Sequence, residues 1–488
     1  MYITTPIYYV NDLPHIGHAY TTIAADAVAR YWRLQGQPVF LLTGTDEHGI
    51  NIQRAAEKRG VSPQQHADEF AAAFKALWQR LDIQYDRFIR TTEPEHKAVA
   101  LDLWRRLQAS GDLYRGTYEG AYCPRCEAYY TSDELIDDAC PVHRLPCDHL
   151  REENWFFRLS RFQEPLERLV RDTDFVQPLA RRNEVLGVLG QGLKDFSVSR
   201  RHVRWGIPVP ETPDEVLYVW VDALANYLGG GTWPADTHLV GKEIIRFHCM
   251  YWPALLRSAG LALPRRVFAH GWLTKDGQKI SKTTGNTIDP AVLADEFGSD
   301  AVRYYFLRAI PFGQDGDFTR GDFVARYTAD LANDFGNLVQ RATTLAARHP
   351  VATARGLEGA GEQQLRSSAE ALPDRVRAAI ERLALHEALG AINAFVTDVN
   401  RYVDSCTPWN LAKQGDTARL ALVLDYLVEA VRLAAWHYAP FLPRAATEAH
   451  LRLVGTEPSG GGGFFQPGAR QKIRVGAPLF PRVGALAA

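Results

Sequence analysis

The chain has 488 residues, and its 55 Lys plus Arg against 57 Asp plus Glu give a formal charge of −2, which excludes a polybasic tail protein. A hydrophobic content of 46% with 11% aromatic residues excludes global disorder, and at roughly 100 to 200 residues per domain the length predicts several domains. No apolar stretch is long enough to span a bilayer, and Met1 runs into a strand-like segment without a basic leader, so a cytoplasmic protein is expected.

In chain order, Tyr2-Ile3-Thr4-Thr5 and Ile7-Tyr8-Tyr9-Val10 read as strand, and a helical pattern with Ala24, Val28 and Tyr31 follows up to Gly36-Gln37-Pro38. Val39-Phe40-Leu41-Leu42 is a continuous apolar run ending in Thr43-Gly44-Thr45-Asp46-Glu47-His48-Gly49. This βαβ unit with uninterrupted apolar strands predicts a doubly wound parallel sheet, whose ligands bind at the carboxyl ends of its strands. From about Tyr114 to Leu150 the periodicity is lost, which suggests a small inserted subdomain. The α/β pattern then returns, with strands at His238-Leu239-Val240-Gly241 and Arg266-Val267-Phe268-Ala269 around a helix from Glu243 to Leu256. Beyond Gly321 the pattern is amphipathic helix, for example Leu331 to Ala347, Ala369 to Val403 and Ala418 to His437, which predicts a helical bundle. Ser459-Gly460-Gly461-Gly462-Gly463 reads as a tether before an extended tail. The expected organisation is residues 1–113 as the first half of a nucleotide-binding domain, 114–150 a metal knuckle within an insertion, and 151–235 the rest of that insertion and the return to the sheet domain. Residues 236–320 would be its second half, 321–455 a helical domain and 456–488 the tether and tail.

His15-Ile16-Gly17-His18 lies where the first strand hands over to the first helix. Two imidazoles at a helix N-terminus, beside a glycine that admits close approach, suit an anionic phosphate, although a plain hydrogen-bonded turn has the same sequence. The second signal is Lys279-Ile280-Ser281-Lys282-Thr283. The chain holds only 10 Lys against 45 Arg, so a cluster of Lys275, Lys279 and Lys282 needs a reason. Lysines are mobile point charges suited to a leaving pyrophosphate. Cys123-Pro124-Arg125-Cys126 and Cys140-Pro141-Val142-His143 have the spacing of a closed tetrahedral zinc site, with Cys123, Cys126, Cys140 and His143 as ligands. Cys147 or His149 could replace His143.

The two phosphate-binding stretches resemble the HIGH and KMSKS motifs of class I aminoacyl-tRNA synthetases. The text around them, including Thr5-Pro6-Ile7-Tyr8-Tyr9, Thr43 to Gly49, Val219-Trp220-Val221-Asp222-Ala223-Leu224 and Gly241-Lys242-Glu243-Ile244, resembles the methionyl-tRNA synthetases over nearly the whole chain. Ile280 and Thr283 depart mildly from the family's usual Met and Ser. The resemblance implies ATP-dependent ligation of methionine to initiator and elongator tRNA through a methionyl adenylate. His15, His18, Lys279 and Lys282 would then stabilise the reacting phosphates, and Gly17, Gly241, Glu243 and Ser281 would complete the ATP site. Magnesium would accompany ATP. It further implies a methionine pocket of Ile7, Tyr9, Trp220, Ala223, Leu224, Tyr227, Ile244 and His248, with Asp46 for the α-ammonium. Asn337, Arg341 and Trp409 would read the anticodon, although by sequence alone Trp409 reads as a core residue in preference to a binding one. Composition is silent there, since residues 331–455 carry 13 basic and 13 acidic side chains. Rival readings are a synthetase for another apolar amino acid and an inactive tRNA-binding relative. The absence of an appended OB-like domain suggests a monomer.

Overall fold

The computed structural model describes residues 1–123, 128–130, 135–141, 144–280, 287–349, 351, 358–460, 462–463, 465–466 and 473–483, with backbone alone at 128–130 and 279. The chain divides into two units. One comprises 1–14, 40–77 and 84–270; the other comprises 15–39, 78–83 and 271–488.

The first unit is built on a six-stranded parallel sheet: β1 (Tyr2–Tyr9), β2 (Phe40–Asp46), β3 (Arg87–Arg90), β4 (Val176–Gln177), β5 (Thr237–Gly241) and β6 (Val267–His270). Their spatial order is β3-β2-β1-β5-β6-β4. The strand order reverses between β1 and β5, the switch point outside whose carboxyl ends open α/β sheets bind their ligands. β1 absorbs Pro6, which has no N–H for a ladder, through a shift of register between Thr4 and Ile7. β2, β5 and β6 are almost wholly buried, as their uninterrupted apolar runs require. A short helix, α2 (Val219–Ala225), precedes β5. The segment after β5 is a 3₁₀ turn at Lys242–Ile244, a π-helical turn at Phe247–Tyr251 and an α-helix at Trp252–Ser258, rather than one regular helix.

The insertion is more ordered than its composition suggests. Leu113–Cys123 pairs antiparallel with Asp148–Phe157 over a register running from Leu113–Phe157 to Tyr122–Asp148. Cys123 and Cys140 are buried in a small cluster of their own, with Leu135 and Cys147 against it.

The second unit contains the first crossover helix, α1 (Ile16–Leu34), a small sheet of Leu273–Lys275, Gln278–Lys279 and Gly316–Phe318, and a helical region. α1 is anchored from within this unit. The Arg303 guanidinium, fully buried, pairs with Asp26 at 2.6 Å and donates to the carbonyls of Leu81, Pro440 and Phe441. Thr417–Tyr438 is buried on nearly every face and forms the centre of the helical region. The single helix expected from Ala369 to Val403 is instead two, Ala360–Glu381 and Leu385–Cys406. The break falls at Leu383, whose φ of 58° lies in the left-handed region that a continuing helix cannot contain. The tail packs on this region: Trp436 donates to the Ser459 carbonyl, Arg432 to that of Gly462, and Tyr327 to that of Pro481.

Candidate active site

The residues expected to hold methionine all lie in the first unit. Ile7 and Tyr9 end β1, and Tyr9 is in register with Asp46, the last residue of β2. Trp220, Ala223 and Leu224 sit on α2, one turn before Tyr227, while Ile244 and His248 follow β5. Ile7, Tyr9, Trp220 and Ile244 pack, partly buried, on a core that contains Leu224 and Tyr227. The Trp220 indole stacks on Phe247 at 3.7 Å with an interplanar angle of 7°.

One hydrogen-bonded chain gives this wall a fixed polarity. The His248 Nδ1 donates to the Ile244 carbonyl at 3.0 Å, so its Nε2 accepts the hydrogen bond that the Tyr227 hydroxyl donates at 2.7 Å. Burial pushes His248 down to about 4 and the Tyr227 phenol above its usual range, so both are neutral at neutral pH. An aromatic and aliphatic wall with one neutral polar pair suits an unbranched thioether and offers nothing to a charged side chain.

In the second unit, His15 caps the N-terminus of α1. Its Nδ1 accepts from Gly17 N at 3.1 Å, and the His18 Nδ1 accepts from His15 N at 3.2 Å, a reciprocal cap made of two stacked imidazoles. With each Nδ1 an acceptor, each neutral ring carries its proton on Nε2, the N–H donor that a phosphate oxygen needs. A Cβ on Gly17 would stand 3.0 Å from His15 Cε1, so any side chain there would press on the capping ring. In the first unit, a Cβ on Gly241 would meet the Glu243 carboxylate at 2.2 Å, so that carboxylate folds over the glycine at the end of β5. The lysine loop begins from a hairpin, Leu273–Lys275 with Gln278–Lys279, turned by Asp276 and Gly277, both at positive φ. Ser281, Lys282 and the Lys279 side chain lie outside the described residues.

Asn337 opens the helix Asn337–Arg348 directly after a π-helical stretch, Tyr327–Gly336, and is exposed. Arg341, one turn on, pairs with Asp404 at 2.8 Å and lies 5.4 Å from the centre of the Trp409 ring. Trp409 is 39% exposed, so it is not a core residue. In the insertion, burial and the neighbouring Cys123 and Cys140 raise the Cys147 thiol, while His149 is exposed on its strand. Cys126 and His143 lie outside the described residues, and among those described no cluster of three or more His, Cys, Asp or Glu is arranged to hold a metal ion.

Sequence reasoning missed the polar network behind Asp46. Buried Glu47 accepts from Thr45 and from Arg90, each at 2.6 Å, and Asp222 of α2 bonds both His48 and His96. A carboxylate inside the apolar run Val219 to Ala225 was the available signal, because such a group needs partners.

The profile of the family described as tRNA synthetases class I (M) matches residues 1–148 and 146–343. The methionine–tRNA ligase of Thermosynechococcus vestitus is 46% identical over 472 residues, covering 92% of this chain and 89% of that protein. The chain belongs to the methionyl-tRNA synthetase family. The methionine–tRNA ligase of Thermotoga maritima is 44% identical over 99% of this chain and 80% of its own length. Among solved structures, the Mycobacterium tuberculosis methionyl-tRNA synthetase in complex with methionyl-adenylate superposes with a TM-score of 0.94 at 41% identity, covering 99% of each chain. No helix among the described residues of this family member is long and apolar enough to cross a membrane.

Proposed function

We propose that this chain is a methionine–tRNA ligase that activates L-methionine with ATP and transfers it to its tRNA, in the cytoplasm and as a monomer. The observation that carries the amino-acid choice is the neutral Tyr227–His248 pair in a wall of aromatic and aliphatic side chains. The thioether would lie against Trp220, Ala223, Leu224 and Ile244, with Ile7 and Tyr9 closing the pocket and Asp46 taking the α-ammonium. The methionine carboxylate then attacks the α-phosphate, the bond to the β-phosphate breaks, and pyrophosphate leaves. Such chemistry needs positioning and charge neutralisation more than a protein nucleophile. The Nε2–H groups of His15 and His18 would donate to phosphate oxygens, Lys279 and Lys282 would meet the leaving charge with Ser281 beside them, and Gly241 and Glu243 would hold the adenosine. Magnesium arrives with ATP and neutralises its phosphates.

A structural zinc fits the donor set of the insertion, since Cys123 and Cys140 are buried in one small cluster with Cys147 against it. Cys123, Cys126 and Cys140 would hold it with either His143 or Cys147. Arg341 and Trp409, with Asn337, present a cation and a ring face to unstacked anticodon bases. Pyrophosphate exchange measured with each of the twenty amino acids tests the reading. Exchange should depend on methionine alone; equal exchange with another apolar amino acid, or none with any, would overturn it.

A further inference from the structure

The Asp46 carboxylate and the α2 wall come from separate stretches of chain, and what ties them is polar and buried. Asp222, on α2, places Oδ2 2.6 Å from His48 Nδ1 and Oδ1 2.6 Å from His96 Nε2. All three residues are at most 2% exposed. An ionised carboxylate only accepts, so each imidazole donates one N–H to it. Burial raises the Asp222 carboxyl, but His48 and His96 together pull it down to about 2, so it is ionised at neutral pH. The Nδ1 of His96 is buried with no hydrogen-bond partner among the described residues, which makes the carboxylate the polar anchor of that ring.

We propose that Asp222, through His48 and His96, is a positioning residue for methionine: it holds the ammonium-binding end of β2 at a fixed distance from the side-chain wall on α2. His48 stands two residues after Asp46, and Asp222 stands between Trp220 and Ala223. The third stretch is the helix Pro94–Ala109, which carries His96. The loop after β2 is clamped from its other side as well. Trp205 donates to the Glu47 carbonyl, accepts from Gly49 N at 2.9 Å, and meets His48 edge-on at 5.5 Å. Replacing a buried charged cluster with apolar side chains of equal volume often leaves stability unchanged or improved, so stability alone is a weak reason for this one. Directional bonds, by contrast, set a distance. The ammonium and the thioether are opposite ends of one small substrate, and both must be met at once.

This proposal rests on the assignment of Asp46 and the α2 wall to methionine, so the test carries controls for that assignment. Asp222→Asn is measured in pyrophosphate exchange beside Tyr227→Phe and Asp46→Asn, with melting temperature on each preparation. The asparagine keeps the size but presents an N–H to one of the two imidazole donors. The KM for methionine should rise about 10-fold or more, while the KM for ATP stays within about twofold. His96→Gln, which retains an amide donor, should come closer to the wild-type KM than His96→Leu, and this pair serves if Asp222→Asn does not fold. A purely structural role predicts a lower melting temperature and a smaller active fraction with both KM values unchanged, and that result overturns the proposal. If the controls raise the methionine KM and Asp222→Asn does not, positioning falls and the pocket stands. If the controls also leave it unchanged, the pocket assignment falls and the proposal with it.

Discussion

Asp300 lies at the start of the helix Ser299–Ala309, fully buried, and its carboxylate accepts from Ala445 N at 2.6 Å and from Arg444 N at 3.4 Å. It thereby caps the helix Pro443–Val454 from outside that helix, supplying acceptors to two otherwise orphaned N–H groups. Burial raises its pKa to about 6, well above the usual carboxylate value. Between that unfolded value and about 6 the folded chain holds more protons than the unfolded one, so this contribution is complete below about pH 4 and is lost as pH rises through 6. The loss amounts to at most about 3 kcal/mol, at 1.36 kcal/mol per pKa unit. Asp300→Asn keeps an acceptor and cannot titrate. The stability of the natural chain relative to this variant should therefore decline from pH 4 to pH 7, as read from urea midpoints. A constant difference across that range would show that the carboxyl is not perturbed. None of this was legible in the sequence, where Asp300 reads as an ordinary first-turn acid. The reciprocal His15–His18 cap was half legible: the residues announce it, but the tautomers follow only from which nitrogen accepts.

At the scale of elements, continuously buried segments translated directly, whereas the periodicity from Ala369 to Val403 hid a helix break and the irregular segments went unread. β2 and the helix Thr417–Tyr438 are where their patterns place them, because burial on both faces or all round demands continuous apolar sequence. The antiparallel pair Leu113–Cys123 with Asp148–Phe157 was illegible, since it is partly exposed along most of its length and spells no clean alternation. Its stability comes from cross-strand pairing between segments 24 residues apart in sequence. The proposed zinc ligands fall, in sequence, from the end of the first of these strands to just before the second, which leads to a test at this scale. Purified protein should contain about one zinc per chain, and Cys126→Ser should lose it and loosen the insertion, as read by metal analysis and by amide exchange in residues 113–157. A fully active wild type without metal would contradict the site. Comparing His143→Ala, Cys147→Ala and His149→Ala for retained zinc then decides the fourth ligand.

At the scale of the molecule, two reactions can be separated by substrate: adenylate formation uses only methionine and ATP, whereas transfer needs tRNA. Trp409→Ala should therefore spare pyrophosphate exchange and weaken charging. Stacking of one base is worth about 1 to 3 kcal/mol, roughly 5- to 150-fold in kcat/KM for tRNA. Because Trp409 is already 39% exposed, its removal leaves no large cavity, and the melting temperature should change little. Equal losses in both reactions would refute the assignment. In the sequence itself a parallel α/β pattern gives way to amphipathic helices beyond Gly321. The sequence by itself determined the fold class and the family, because periodicity and short motifs are local and the hydrophobic effect acts on them directly. It also offered His15 and His18 as phosphate-binding candidates through residue type and spacing, whereas Asp46 and Trp409 entered only through the resemblance to the family. Only the tertiary structure decided which polar groups meet. Asp222 with His48 and His96, Tyr227 with His248, Asp300 with Ala445 and Asp26 with Arg303 are each joined across at least 21 residues of chain. Such pairs leave no period in the sequence, since a hydrogen bond depends on distances of about 3 Å that only the packed backbone sets.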